Sequence, residues 1–552
     1  MTERDASAET AVKRTGKRRR GLVHVLAAFT LVSALQFAFG MWMDGRGFLW
    51  GDALSRATSA LLALYGTDPH LAAIGFVWMP LPTLVELAWV SIYPLWPGVV
   101  SSGFASTLTT ALCGGCTAAL LMAASRRFGI RPFIGWAFVL VVCLDPMLFL
   151  FASNGMSEGV AAPFLIGATV CIALFWHTGQ RRYVAMAALA LALGFASLYQ
   201  AVQYGGALLL VLALGILYGD EARPSTPQGR WRALEALGLL LIVPSVYVGF
   251  VWVVANWTIM GDPLYFAHSQ YSNQGVVSAY AGARLAARAS GDLWSSVLYV
   301  GERTAPFLIP AVFLVVIRVL EGRFRGPGTL AIILLALSVP LGMMVPQVYS
   351  GSSFGWLRYF MYPLFAAAGW GLYEIASGRK RLLSCVLVLA GWVAAFPAVL
   401  WAMETPSIGQ DEHPVIRALT TGEDASQVGF TNYLEDEAPV ARYVEDRVMR
   451  RGAVVAVDAL QGWPLAAQMD PADLGHLLIL TPDRRFQRAV AEPERYHVSY
   501  LLVPDPRKYR GDLINQTYPS LWEGRQPGFE LVEKFPETMQ GWRLYRVEEG
   551  GA

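Results

Sequence analysis

The chain has 552 residues, of which 55% are hydrophobic and only 15% are charged. Soluble proteins carry about 25% charged residues, so this chain has too little polar surface for a water-soluble globule, and its five cysteines are too few for a disulfide scaffold. The net charge of +2 is the sum of two unlike regions. Residues 1–403 hold 27 basic and 17 acidic side chains, whereas residues 404–552 hold 16 basic and 24 acidic side chains.

The N-terminus carries a basic segment, residues 1–20, followed by an apolar run from Gly21 to about Trp42. About 20 apolar residues are enough for a helix to cross roughly 30 Å of hydrocarbon. A cleaved signal peptide has a shorter apolar core and a small-residue cleavage site. The sequence therefore predicts a signal anchor whose basic tail stays in the cytoplasm.

Eleven more apolar runs follow, and the short turns between the later ones are rich in arginine. Basic turns lie in the cytoplasm. All of these turns lie on the same side of the membrane only if one of the early apolar runs does not cross it. The run at 79–97 contains four prolines and Glu86, which suits a re-entrant or interfacial segment better than a lipid-facing span. About eleven transmembrane helices are therefore predicted within residues 21–402, with the C-terminus outside. They are 21–42, 101–125, 132–152, 158–176, 183–199, 203–218, 233–256, 304–320, 329–348, 355–376 and 382–402.

The longest outside loops are then 42–101 and 257–303, and long loops at a membrane surface usually carry function. In the first loop, Asp52 precedes apolar residues at helical spacing, so residues 53–65 are predicted to form an amphipathic helix on the membrane surface. Asp52 at its head is a candidate proton acceptor. The alternative is a plain helix N-cap.

Two further ionisable residues lie where predicted spans open to the outside. Glu158 costs free energy there unless it has a partner or a role, and the alternative is an interfacial or capping glutamate. Arg358 lies among aromatic residues such as Tyr359, and its fork of donors can hold a lipid phosphate. The alternative is an arginine that snorkels to the headgroups.

The loop at 257–303 opens with a short stretch rich in aromatic and amide side chains, including Tyr265, His268 and Tyr271. Amides and aromatic faces are the groups that usually hold sugar hydroxyls and sugar rings. The alternatives are an interfacial aromatic belt and a structural histidine.

Residues 403–552 have the composition of a soluble protein, and they are predicted to form an α/β domain outside the membrane. Helices are expected at 438–452 and 484–492, with strands at Val454–Val457, Leu477–Leu480 and Val498–Val503, at least partly parallel. No glycine-rich phosphate loop follows any strand. The domain is therefore expected to bind or shield substrate and not to hold a second catalytic centre.

The order of these features resembles the GT-C superfamily of membrane glycosyltransferases, which includes the protein mannosyltransferases and aminoarabinose transferases. The resemblance covers most of residues 20–402. It rests on five short motifs, GDALSRA around Asp52, SRRFG, SNGMSEG around Glu158, NWTIMGDPLYF, and WLRYFMYP around Arg358. It implies a GT-C-like α-helical polytopic membrane protein with a C-terminal α/β domain.

The resemblance also implies roles for the three charged residues. Asp52 would be the catalytic carboxylate, and Arg358 would hold the phosphate of the donor. Glu158 would match the second acidic position, which contacts the acceptor or binds a divalent cation, Mg²⁺ or Mn²⁺, in metal-using members. Ala53 stands where many relatives have a second acid, and Glu158 is a single acid where they have two; both departures weaken the case for a metal.

The expected function is an inverting transfer of one sugar from a polyprenyl phosphate to a cell-envelope glycan, glycolipid or protein outside the cytoplasm. Tyr265, His268, Tyr271 and Tyr359 are the candidate substrate contacts. Only five of the 43 basic residues are lysine, as in G+C-rich bacterial genomes, so the expected location is a bacterial plasma membrane, with no nucleic-acid partner. The alternatives are a transporter or flippase of envelope precursors and a non-catalytic envelope assembly protein.

Overall fold

The computed structural model describes residues 3–219, 226–269, 271–279, 285–479, 483–509 and 511–548. A large helical region is followed by a smaller α/β domain that begins after the helix Arg381–Glu404. The predicted fold class, a polytopic helical membrane protein with a C-terminal α/β domain, is confirmed.

Within the described residues, eight helices are long and apolar enough to cross a membrane, and all eight coincide with predicted spans. The chain is thus a multi-pass membrane protein. The eight helices are Gly21–Asp44, Phe104–Arg127, Ser157–Thr178, Ala201–Tyr218, Pro227–Met260, Leu293–Leu320, Pro327–Tyr349 and Arg381–Glu404.

The other three predicted spans form shorter helices, so eight of the eleven predicted spans contain a helix of spanning length within the described residues. The run 132–152 divides into Pro132–Cys143 and Pro146–Phe151. Asp145 causes the break, because its carboxylate accepts backbone N–H groups at the start of the second helix, where Pro146 has no N–H to continue the first. The remaining two, Arg182–Ser197 and Tyr362–Ser377, have 16 residues each.

The first loop contains the helix Gly51–Tyr65, the short helix Leu81–Val90 in the run that was predicted not to cross, and a turn of 3₁₀ helix at Leu71–Ile74. The predicted amphipathic helix at 53–65 is therefore present. Its apolar side chains, such as Leu54 and Leu61, share a buried cluster with Val440 and Leu465 of the C-terminal domain. This helix thus lies between the membrane region and the soluble domain.

The C-terminal domain is built on a five-stranded sheet of β1 Val454–Val457, β2 Leu477–Ile479, β3 Val498–Val503, β4 Phe529–Phe535 and β5 Trp542–Val547. The strand order is β2-β1-β3-β5-β4. β1 is parallel to β2 and β3, whereas β5 is antiparallel to β3 and β4. The predicted parallel strands are confirmed, and β4 and β5 were not predicted.

Helices of this domain cover the sheet and connect its strands. The longer ones are Tyr433–Tyr443, Ala459–Ala466 and Phe486–Ala491, whereas His413–Thr421 packs against the last membrane helix. The helix Ala459–Ala466 begins two residues after β1 ends, at the carboxyl ends of the parallel strands. Ligands of open α/β sheets bind at that edge, and here the edge faces the membrane region.

Candidate functional site

Asp52 lies in the first turn of the helix Gly51–Tyr65. The N-cap of this helix is Trp50, which makes no side-chain hydrogen bond, so the alternative interpretation of Asp52 as a plain N-cap is wrong. Its Oδ2 atom lies 3.3 Å from Nη2 of Arg358. The Asp52 side chain is 38% exposed, so the carboxylate is held from one side and open on the other.

Glu158 lies in the first turn of the helix Ser157–Thr178 and is only 3% exposed. Its Oε1 atom lies 3.3 Å from Nε of Arg358, and its Oε2 atom accepts a hydrogen bond of 3.3 Å from the Ser157 hydroxyl. A glutamate this deeply buried does not reach water or headgroups. Its charge is stabilised by Arg358 instead.

Arg358 lies in a 3₁₀ turn, Leu357–Phe360, just before the helix Tyr362–Ser377. It is 2% exposed, and its guanidinium carbon lies 3.9 Å from the ring centroid of Trp356. A buried charge must be paired to be tolerated, and three carboxylates pair with this one. The alternative of a snorkelling arginine is therefore wrong.

The third carboxylate is that of Asp411, which sequence analysis did not identify. Its Oδ2 atom accepts a hydrogen bond of 2.7 Å from Nη1 of Arg358. Asp411 lies in the linker after the last membrane helix, and burial raises its pKa although Arg358 opposes this effect. The available signal was the acidic pair Asp411-Glu412 close after a predicted span on the same membrane face as Asp52.

A second buried cation, Arg56, connects the elements that carry two of these acids. Its Nη1 atom donates to the backbone oxygen of Asp52 at 3.1 Å, and its Nη2 atom donates to the Ser157 hydroxyl at 3.2 Å. Arg56 therefore fixes the start of the helix Gly51–Tyr65 against the start of the helix Ser157–Thr178.

A cavity of about 390 Å³ adjoins this cluster, between the helical region and the C-terminal domain. Asp52, Asp411 and Trp356 lie on its wall, whereas Arg358 and Glu158 are buried outside the wall. A carboxylate that faces a cavity and is fixed by a buried arginine can accept a proton from a hydroxyl group bound there. The C-terminal domain supplies the facing wall with Tyr433, Glu437, Ala459, Gln461, Trp463, Pro464 and Gln540.

The four predicted substrate contacts lie in different places. Tyr271 is on the cavity wall, where its hydroxyl donates to Asp458. Tyr359 has its ring centroid 5.2 Å from the guanidinium carbon of Arg358. Tyr265 packs in other apolar clusters, and His268 pairs with Asp262 at 3.1 Å with its side chain 63% exposed. The cavity wall includes neither of the last two, so it gives no support to their predicted role.

The carboxylates of the site do not form a metal centre in the part of the chain that the structure describes, since no group of three His, Cys, Asp or Glu side chains there is placed to hold an ion. The acids converge on a guanidinium instead. A divalent cation at Glu158 would stand beside this guanidinium and be repelled by it. The residues present therefore do not fit the Mg²⁺ or Mn²⁺ that the sequence resemblance suggested.

Comparison with known proteins identifies the fold. No protein-family model and no curated protein matches the chain. The structure of ArnT from Cupriavidus metallidurans bound to undecaprenyl phosphate is similar over 95% of this chain and 98% of that one, with a TM-score of 0.50 and 15% sequence identity. The apo structure of the same ArnT is similar over 94% and 97%, with a TM-score of 0.52 and 14% identity.

ArnT is an aminoarabinose transferase of the GT-C superfamily, so the predicted resemblance to that superfamily is confirmed in the fold. At this level of identity the likeness concerns the fold alone. The roles of Asp52, Glu158 and Arg358 stay predictions, and they depend on the geometry of this chain.

We expect Arg358→Met to lower the free energy of unfolding by roughly 3–5 kcal/mol, because it leaves buried carboxylates without a counter-charge. The double variant Arg358→Met/Glu158→Gln should recover part of this loss, since it removes one of those charges. Thermal unfolding of the detergent-solubilised single and double variants measures the coupling. Strictly additive effects would contradict a direct ion pair, and Arg495→Met, at an exposed surface pair, should leave the midpoint unchanged.

The stability of the linker is expected to depend on pH through Glu412, whose pKa burial raises to about 8. A glutamate in the unfolded chain has a pKa of about 4.3. Between that pH and pH 8 the folded state therefore holds a proton on Glu412 that the unfolded state has lost. The stabilisation is complete at acid pH and is lost as the pH rises toward 8. The unfolding midpoint should therefore fall from pH 5 to pH 8 in the wild type and fall less in Glu412→Gln. The exposed control Glu530→Gln should keep the wild-type dependence, and equal slopes in all three proteins would contradict this assignment.

Proposed function

We propose that this protein is an inverting glycosyltransferase that moves one sugar from a polyprenyl-phosphate donor to an acceptor outside the cytoplasm. The observation that carries the proposal is the convergence of Asp52, Glu158 and Asp411 on the buried Arg358 beside the cavity. The shared fold supports it, because one of the similar structures is ArnT bound to undecaprenyl phosphate. The acceptor is a cell-envelope glycan, glycolipid or protein.

In the proposed reaction, Asp52 is the base. The acceptor hydroxyl oxygen forms a bond to the anomeric carbon while the bond from that carbon to the phosphate oxygen breaks. The bonding electrons leave with the phosphate, and the hydroxyl proton passes to the Asp52 carboxylate. The exposed face of Asp52 on the cavity wall supports this role, and a positioned base contributes about 10² to 10⁴ in rate.

Arg358 is proposed to stabilise the negative charge that develops on the leaving phosphate. All three sides of its guanidinium already face carboxylates, so the donor phosphate must take the place of one of them. Asp411 is the best candidate to leave, because it lies on the cavity wall whereas Glu158 is buried outside the wall, and because Asp52 is the proposed base. Exchange of one anion for another keeps the buried arginine compensated.

We place the protein in a bacterial plasma membrane, with the N-terminus in the cytoplasm and the C-terminal domain outside. The arginine-rich turns support this orientation. Arg126 and Arg127 end one spanning helix, and Arg318 and Arg323 pair with Glu374 near the ends of others. These residues lie at helix ends other than those that carry Asp52, Glu158 and Arg358.

We expect Asp52→Asn to lower the rate of transfer about 10²- to 10⁴-fold, because the amide cannot accept the proton. The measurement is the release of polyprenyl phosphate when the purified protein is incubated with a panel of polyprenyl-phosphate sugars and envelope extract. Asp68→Asn is the matched control, since Asp68 belongs to the same loop and pairs with the exposed Arg484 at 2.6 Å. Full transfer by Asp52→Asn would exclude its role as base. Absence of polyprenyl-phosphate release by the wild type with every donor tested would favour a transporter or an assembly protein instead.

Removal of divalent cations is expected to leave the transfer rate unchanged, because Arg358 supplies the positive charge that a metal would supply. The test repeats the transfer assay after dialysis against EDTA. If activity falls tenfold or more and returns on addition of Mg²⁺ or Mn²⁺, the metal-dependent alternative at Glu158 is correct.

A further inference from the structure

The cavity wall that the C-terminal domain supplies contains a pair of aromatic rings. Tyr433 and Trp463 lie with their ring centroids 5.4 Å apart. Both rings approach the start of the helix Gly51–Tyr65, since a Cβ atom placed on Gly51 would lie 3.1 Å from Tyr433 and 3.6 Å from Trp463. The aromatic pair therefore packs against Gly51, the residue that precedes Asp52.

Amide side chains accompany these rings. Gln461 and Gln540 of the C-terminal domain lie on the wall, together with Asn273 and Gln410. An amide offers both donors and acceptors, which match hydroxyl groups in either direction. Aromatic faces with amides beside them bind a ring that has apolar C–H faces and hydroxyl edges.

The charge of the wall is one-sided. Asp52, Asp411 and Glu437 lie on it, whereas no lysine, arginine or histidine does so among the residues that the structure describes. The nearby guanidinium of Arg358 is already paired with three carboxylates. A negatively charged acceptor group would therefore be repelled by the wall and find no counter-charge on it.

The size of the cavity agrees with a small polar ligand. Its volume of about 390 Å³ lies at the lower end of the range of roughly 300–1,000 Å³ for small-molecule sites. The aromatic pair, the amides and Asp52 share this one space, so a ring on Trp463 has its hydroxyl edge near the base.

We propose that the part of the acceptor that enters this cavity is an uncharged sugar, bound on Trp463 and Tyr433 and by Gln461 and Gln540, and that phosphorylated sugars are excluded as acceptors. This inference rests on the proposed function, since it names the acceptor class for that site. Trp463 is a specificity-determining residue in this view and takes no part in the chemical step.

The test measures binding in the absence of donor, by saturation-transfer NMR on the full-length protein in detergent. The probes are the methyl glycosides of glucose, mannose and galactose, each paired with its 6-phosphate. We expect at least one neutral glycoside to bind and its 6-phosphate to bind at least tenfold more weakly. Equal or tighter binding of the phosphates, or no binding of any neutral glycoside, would overturn the proposal.

Variants identify the position of the bound sugar. Trp463→Ala should weaken binding of the neutral glycoside more than tenfold, and Trp463→Phe should weaken it less. Trp231→Ala, at an exposed tryptophan away from the cavity wall, should leave binding unchanged. Gln461→Lys should improve binding of the 6-phosphate, because it adds a cation to the wall. Unchanged binding in both Trp463→Ala and Gln461→Lys would overturn the assignment.

This binding test and the transfer test can fail separately. If neutral and phosphorylated sugars bind equally while transfer still depends on Asp52, the proposed acceptor class is wrong and the proposed transferase function stands. Selective binding of neutral sugars without any transfer would overturn the proposed function instead.

Discussion

The buried guanidinium of Arg358 is the interaction on which the arrangement of the site depends. It lies where three separate parts of the chain meet, and each part contributes one carboxylate, Asp52, Glu158 and Asp411. The three carboxylates could not share this partly buried place without a positive charge between them, because like charges in a poorly hydrated place repel strongly. The same contact therefore orients the first-loop helix, a membrane helix and the linker to the soluble domain.

Much of this arrangement could be predicted, because hydrophobic length and scarcity of charge are strong signals in a membrane protein. Asp52, Glu158 and Arg358 stood out in an apolar surround, and the structure brings them within one ion-pair cluster. Asp411 lies in a linker of soluble composition, where a carboxylate is ordinary, so its position close after a predicted span was a weak signal. The direction of a side chain in a loop is equally invisible in sequence, which is why His268, in a crowded polar stretch, points to Asp262 and not to the cavity.

The fold was less predictable where tertiary contacts decide the secondary structure. The break at Asp145 and Pro146 depends on a local cap inside an otherwise continuous apolar run. Strands β4 and β5 mix charged and apolar residues without strict alternation, and the pairing of β5 with β3 joins segments distant in sequence. The helix Gly51–Tyr65 shows the same effect, since its apolar face resembles that of a membrane-surface helix although it packs on the soluble domain.

Gly51 is the point where the aromatic pair of the C-terminal domain meets the helix that carries Asp52. Its size affects the shape of the cavity but not the ion pairs of Arg358. Its missing side chain lets Tyr433 and Trp463 approach the first turn of the helix that presents Asp52. A methyl group at this position would push the tyrosine ring back by a few tenths of an ångström and would touch no charged atom. A substitution at residue 51 thus changes which ligands fit beside Tyr433, and it leaves the ion pairs of Arg358 in place. Changes in ligand range can therefore accumulate in this chain without loss of its reactive groups.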